Sequence, residues 1–338
     1  MADDHEIFEL GNFELKCGMV LRNGQLAYKT YGTLNDSKDN AILVPSYYGG
    51  THANYEPLIG EGMGLDPTKY FIISTNMFGN GVSSSPSNTP PPYNGPRFPR
   101  INYWDNIHAQ HRLITEEFGI EKLALVTGFS MGAQQAFHWG AIFPDQVERI
   151  LPWCGSAKTR PHNWVFLESV NTAVQTDPAY DDGWYEQPPL RGMRAAARVW
   201  SAWGLSQEWW RQETFKKAGS PTPEDFIVAA WEAGWVRADA NNQLWLIYTW
   251  QDGDISDNDI YQGDFDKALS SIKADAIVMP CQTDLYFPPE DNEYEVERMP
   301  NAEYRPMPSI WGHVGGRPGS NQADLDFIDA GIKDLLSR

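Results

Sequence analysis

The chain has 338 residues, enough for two average domains or for one large α/β domain carrying an insertion. Hydrophobic residues at 41% and aromatics at 13% supply an ample core and exclude a wholly disordered chain. Lys+Arg number 26 against 45 Asp+Glu, a formal charge of -19, and a chain that acidic repels phosphate backbones and anionic headgroups. Nucleic-acid and membrane partners are therefore not expected.

No stretch approaches the roughly 20 apolar residues that span a bilayer, and the opening MADDHEIFEL has neither a basic nor an apolar leader region. A soluble, cytoplasmic protein is expected. Cys17, Cys154 and Cys281 are odd in number and widely spaced, with neither zinc nor redox spacing, and read as buried small apolar side chains.

In chain order, residues 13–33 hold two strand-like runs around Asn23-Gly24 and predict a hairpin turning there. Ala41–Val44 and Tyr70–Ser74 predict two buried strands, each running into a Gly-rich loop. The Gly- and Pro-rich residues 79–100 predict a surface loop or the wall of a site. Residues 104–119 have helical apolar spacing, and Glu121–Thr127 and Ile150–Cys154 predict further strands.

Residues 156–271 change character. They hold ten of the 14 tryptophans in helical-looking segments, the signature of an inserted helical region. The strand pattern resumes at Ala274–Met279, followed by a helix at 290–298, a strand at 303–307 and a C-terminal helix over Asp324–Leu336. The reading is a mostly parallel central sheet flanked by helices, with a core of residues 1–155 and 272–338 and a lid of residues 156–271.

The sharpest feature is Gly128-Phe129-Ser130-Met131-Gly132, a G-x-S-x-G match between an apolar strand and a helix. A strand that turns abruptly into a helix at a serine needs small flanking residues, because the turn forces the nucleophile into a strained backbone conformation. A serine needs a histidine base, itself oriented by a carboxylate, and in such sites the chain order is Ser, acid, His. His313 is the one histidine beyond Ser130 and past the insertion. Asp284 directly follows a late strand and precedes two prolines, whereas Asp275 stands at the wrong end of that strand. His138, within the helix after Ser130, reads as a packing residue. The oxyanion donors are assigned as the backbone N–H groups of Met131 and Tyr47, the latter in the loop after Ala41–Val44. The acidic run at 252–259 lacks the glycine and closing glutamate of a calcium loop, and no dinucleotide or P-loop motif is present. No cofactor and no metal are expected.

These features resemble the α/β-hydrolase superfamily, and within it the homoserine O-acetyltransferase family. The resemblance runs over Asn80-Gly81, the segment Asp105–Gln110, Ser130-Met131-Gly132, Asp239-Ala240-Asn241, Thr283–Pro289 and Gly312-His313. It implies an α/β-hydrolase fold, a triad of Ser130, Asp284 and His313, and a helical lid that in this family helps form homodimers. Two departures bear on substrate. Family members acting on homoserine carry an aspartate for the substrate amine where this chain has Val314, and an arginine for the carboxylate where it offers Asn171. A H-A-L-T-G loop is replaced by Ser46-Tyr47-Tyr48-Gly49.

The expected function is serine-dependent acyl transfer on a small-molecule substrate, with water as the acceptor: hydrolysis of an ester or thioester through a Ser130 acyl-enzyme. The alternative is an O-acyltransferase taking an acyl-CoA donor, acetyl-CoA in the resembled family, and an acceptor other than homoserine. A non-catalytic binding protein is disfavoured by the intact Ser, Asp and His set.

Overall fold

The computed structural model describes residues 4–338; the first three residues of the N-terminal stretch read above lie outside the described residues. The chain builds an eight-stranded sheet in the order β1-β2-β4-β3-β5-β6-β7-β8. β1 (Glu6–Glu14) and β2 (Val20–Tyr31) are antiparallel to each other, and β2 is antiparallel to β4 (Phe71–Thr75). β3 (Ala41–Pro45), β4, β5 (Leu125–Phe129), β6 (Arg149–Trp153), β7 (Asp275–Val278) and β8 (Ala302–Tyr304) are all parallel.

The burial explains the arrangement. β3, β4 and β5 are buried along their whole length, as strands covered on both faces must be, while β1 mixes exposed with buried positions, as an edge does. Parallel neighbours need crossovers, supplied here by α1 (Tyr103–Arg112) before β5 and α2 (Met131–Ile142) before β6. Asn102 and Asp105 form a capping box at the start of α1, and Asn106 accepts the Phe78 N–H at 3.0 Å. Gln110 in turn accepts the Trp139 indole N–H at 2.8 Å. The Asp105–Gln110 segment therefore locks α1 to the loop after β4 and to α2.

Three elements differ from the sequence expectation, the simplest being β8, which spans Ala302–Tyr304 against an expected 303–307, with Met307 making only an isolated bridge to Cys281. The hairpin turns at residues 15–19, where Leu15 and Gly18 close a backbone turn, and not at Asn23-Gly24. Asn23 has φ 50° and Gly24 lies opposite Gly11, between register shifts, so this pair forms an irregularity inside β2. The strand expected over Glu121–Thr127 forms its ladder later, over Leu125–Phe129, with Leu123 making an isolated bridge to Val147. It runs on through Gly128 because that position meets Gly132 so closely that an added Cβ would stand 2.8 Å from its carbonyl carbon.

Between β6 and β7 the chain is helical, with α3 (Pro161–Gln175), α4 (Leu190–Gly204) and α5 (Ala240–Gln251) joined by short helical turns. Asp177 accepts the N–H groups of Ala179 and Gly192, and Gly192 lies against the last carbonyls of α3, which brings α3 and α4 together. Trp200 and Trp250 join the main core; Trp209 packs with Leu205 and Phe215 in a second cluster. No helix among the described residues is long and apolar enough to cross a membrane. α6 (Pro289–Val296) and α7 (Gln322–Leu336) complete the layers.

Glu295 of α6 is fully buried and accepts the Ala157 N–H at 2.8 Å, tying the chain leaving β6 to the core. Burial pushes its carboxyl up to about 8, against an ordinary value of 4.5. Because the folded chain holds this proton where the unfolded chain has lost it, the contribution is intact below pH 4.5 and is lost as pH rises toward 8. Glu295→Gln removes the ionisation. The difference in melting temperature between variant and parent should move in the variant's favour from pH 5 to pH 8, read by thermal melts across that range. A constant difference would place the proton elsewhere.

Candidate active site

The strand order reverses around β3: the chain goes to β4 on one side and then to β5 on the other, which opens a crevice at the carboxyl ends of β3 and β5. Ser130 stands at the end of β5 as the residue preceding α2, with φ 57° and ψ -120°. That conformation is strained for a residue with a Cβ and persists only where the surroundings over-determine it. They do so through close backbone contacts. A Cβ on Gly132 would lie 2.6 Å from Pro45 O and 2.7 Å from the Tyr55 hydroxyl, and one on Gly155 would lie 2.6 Å from Ser130 O. Tyr55 donates its hydroxyl to Pro45 O at 2.9 Å and accepts the Phe129 N–H at 3.0 Å, so a single buried side chain joins the ends of β3 and β5.

The structure brings Ser130, Asp284 and His313 together. The Ser130 hydroxyl lies 2.9 Å from His313 Nε2, and His313 Nδ1 lies 2.7 Å from Asp284 Oδ2. The other Asp284 oxygen accepts the N–H groups of Tyr286 and Phe287 at 2.8 and 3.1 Å, which fixes the carboxylate without blocking the oxygen that faces the ring. Thr283 couples the two loops: its hydroxyl donates to Ser309 O at 2.8 Å and accepts the Gly312 N–H at 3.1 Å. The turn Gly312–Gly316 is anchored by the Trp153 indole, which donates to Gly316 O at 2.8 Å, and by the absence of a side chain on Gly316, which rests on Cys154 and Phe129.

Among the described residues the backbone N–H groups of Met131 and Tyr47 have no partner within the chain. Met131 opens α2, so its N–H carries the partial positive charge of a helix N-terminus. The carbonyl of Ser46 accepts the Gln135 side-chain amide at 2.8 Å. Since that carbonyl and the Tyr47 N–H belong to one planar peptide, holding the oxygen aims the N–H the opposite way. The Tyr47 ring is buried edge-on against Phe129 and Tyr55, and burial pushes its hydroxyl up to about 12.

Ser130 and His313 open into a cavity of about 340 Å³. Its walls are aromatic, chiefly Tyr48, Trp200, Trp231, Trp235, Trp250 and Tyr286, with Tyr48 stacked on Trp200 at 4.5 Å. Val314 lines it, whereas Asn171 is buried in α3 and is not on its wall. Arg237 and Arg317 also line it. Neither arginine figured in the sequence reading: Arg317 could have been found from its place four residues after His313, but Arg237 carries no local signal.

The remaining candidates resolve as follows. His138 is buried, donates to Gln134 O at 2.8 Å and is held down to about 4 by burial, as a packing residue is. Cys154 and Cys281 are buried, but Cys17 is exposed on the hairpin turn, where nothing apolar covers it. Asp4, His5 and His52 place ligand atoms within 4.8 Å of one another. They suit a metal poorly: His52 Nδ1 accepts from Asn76, which leaves its proton on Nε2 facing Asp4, and Lys29 already pairs with Asp4 at 3.1 Å. In the acidic run, Asp254 and Asp257 pair with Lys158 and Lys16.

Because Gly132 touches backbone, Gly132→Ala should force α2 away from β3, at a cost of about 1–3 kcal/mol of stability. A lowered melting temperature together with lost activity is expected; a melt like the parent's would show that α2 accommodates the methyl.

A family model described as the alpha/beta hydrolase fold matches residues 42–188. The ethyl acetate hydrolase of Pseudomonas veronii is 40% identical over 335 residues, covering 98% of this chain and 95% of that one. The homoserine O-acetyltransferase of Trichormus variabilis is 31% identical over 319 residues, covering 89% of this chain and 86% of its own. Among solved structures the acetyl esterase MekB superposes with a TM-score of 0.96 at 40% identity, over 99% of this chain and 97% of that one. With the sheet order and crevice described above, these full-length matches establish that the chain is an enzyme belonging to the α/β-hydrolase family.

Proposed function

We propose that the enzyme hydrolyses short-chain esters, acetyl esters foremost, through an acyl-enzyme on Ser130. The observation that carries this reading is the unbroken chain of hydrogen bonds from Ser130 through His313 to Asp284, at 2.9 and 2.7 Å, opening on a small aromatic cavity. A volume of about 340 Å³ is at the lower end of small-molecule pockets, which favours a short acyl group and a small alcohol. The acetyl and ethyl acetate specificities named for two of its relatives support the same substrate class.

Ser130 Oγ attacks the ester carbonyl as His313 Nε2 takes its proton, and Asp284 stabilises the imidazolium that forms. The carbonyl oxygen becomes an oxyanion and accepts the Met131 and Tyr47 N–H groups. Collapse of the tetrahedral species breaks the bond to the alcohol, which leaves with the proton from His313. Water then attacks the acyl carbon, gives its proton to His313, and the acid departs as Ser130 regains its hydrogen. The helices between β6 and β7 act as a lid over this site, supplying all four tryptophans of its wall. Three cysteines without a disulfide among them favour a cytoplasmic setting.

A fluorophosphonate probe should label Ser130, and Ser130→Ala should abolish labelling and lower kcat by roughly 10⁴-fold or more in a folded protein. Asp284→Asn, which presents the wrong imidazole tautomer, should cost on the order of 10³- to 10⁴-fold. Labelling of another serine, or near-parental hydrolysis of p-nitrophenyl acetate by Ser130→Ala, would remove this assignment.

Transfer to homoserine is disfavoured because no carboxylate lines the cavity to receive the substrate ammonium: Val314 stands beside His313, and a buried unpaired charge is costly. Acetyl-CoA and homoserine should therefore give a kcat/KM below roughly 10⁴ M⁻¹s⁻¹, the lower end for a dedicated enzyme. A higher value in steady-state kinetics would restore the acyltransferase reading.

A further inference from the structure

The cavity above Ser130 is charged oppositely to the protein that contains it. The chain carries a formal -19, and most of its 26 lysines and arginines stand within 4 Å of a carboxylate. Arg237 and Arg317 do not. Among the described residues neither guanidinium makes an ion pair or a stacking contact with an aromatic ring; Arg317 reaches the uncharged Tyr47 hydroxyl, and both side chains are exposed. They come from distant parts of the chain, one from the helical turns before α5 and one from the end of the His313 turn, yet both line the same cavity as Ser130. No aspartate or glutamate lines it with them.

An arginine fork left without a carboxylate partner is a ready binding site for a planar carboxylate or a phosphate, which accepts its paired N–H donors. Arg317 follows His313 on one short turn, and His313 is the group that protonates the departing alcohol oxygen. We propose that the ester this enzyme is built to cleave carries an anionic oxyacid group, carboxylate or phosphate, on its alcohol portion, and that Arg237 and Arg317 hold it at the mouth of the cavity. The proposal rests on the ester-hydrolase reading above and adds the substrate's charge and which end bears it. A zwitterion does not meet the requirement, since its ammonium finds no acid on the wall.

The test measures hydrolysis of four esters: acetate release from 4-acetoxybenzoate, its uncharged methyl ester and 4-acetoxyphenyl phosphate, and nitrophenolate release from mono-4-nitrophenyl succinate, whose charge is on the acyl side. At low ionic strength kcat/KM for 4-acetoxybenzoate or the phosphate, whichever is the true chemistry, should exceed that for the methyl ester by about tenfold, mostly through KM, and added salt should erode the difference. The succinate is read against its own uncharged methyl ester, and there no anion preference is expected. In Arg237→Gln/Arg317→Gln the anionic-to-neutral ratio should fall to about one whatever the absolute rates, and Arg317→Lys should retain part of it.

A wild-type ratio of one or less, a ratio unchanged in the double variant, or a preference confined to the succinate would overturn the proposal while leaving ester hydrolysis intact. Failure to cleave any of the four, with Ser130 unlabelled by the fluorophosphonate, would overturn the ester-hydrolase reading and this proposal with it.

Discussion

The backbone at Ser130 is the constraint around which the rest is arranged. A φ of 57° on a residue with a side chain costs on the order of 1–3 kcal/mol, and nothing in the serine itself offsets it. The offset comes from packing in which side chains have been deleted: Gly128 against Gly132, Gly132 against the end of β3, Gly155 against the serine's own carbonyl. Tyr55 then bonds both strand ends at once, so β3 and β5 cannot separate without leaving its buried hydroxyl and two backbone groups unsatisfied. The strain projects one hydroxyl into the crevice while the helix behind it begins with free N–H groups.

The partners of that hydroxyl arrive from the other end of the chain, and their precision depends on connections back to the first half. Trp153 belongs to β6, next to the strand that carries Ser130, and its indole bonds the turn that carries His313. Thr283 stands beside Asp284 and bonds both ends of the loop leading to His313. Asp284 and His313 are thus referenced to each other and to the sheet, which is why three side chains from residues 130, 284 and 313 meet within hydrogen-bond distance.

What the sequence made legible follows from how local the cause is. The turn at Ser130 declares itself in five residues because the sterics that demand it act over five residues. Asp284 and His313 were readable from chain order and from the prolines and loop around them. The hairpin turn was misplaced because Asn23-Gly24, the usual turn pair, also suits a positive φ inside an irregular strand, and only the pairing with Gly11 distinguishes the two. β5 was placed too early because Gly128 weakens a strand in general but is required in this one. The bonds made by Tyr55, Gln135, Thr283 and Trp153 were invisible: each acts on a group far away in the chain, and a tyrosine, a glutamine, a threonine or a tryptophan has many places to go.

In the proposed function, reaction and recognition fall to different parts of this molecule, and the physical reason is what each requires. Ser130, Asp284 and His313 sit on a strand end and short turns bound by buried hydrogen bonds, the placement that the proposed reaction needs, since there a displacement of an ångström would be costly. The walls that meet the substrate come largely from the helical stretch between β6 and β7, where broad aromatic faces exclude water and bury the carbons of a small ester, tolerating variation in shape. Charge at the rim obeys neither demand. Arg237 and Arg317 remain solvated, so they cost little to keep unpaired, and against a surrounding chain of -19 they make the mouth of the cavity a local reversal of sign. On an otherwise acidic chain, the cavity above Ser130 is thus a place where two cations face an approaching anion.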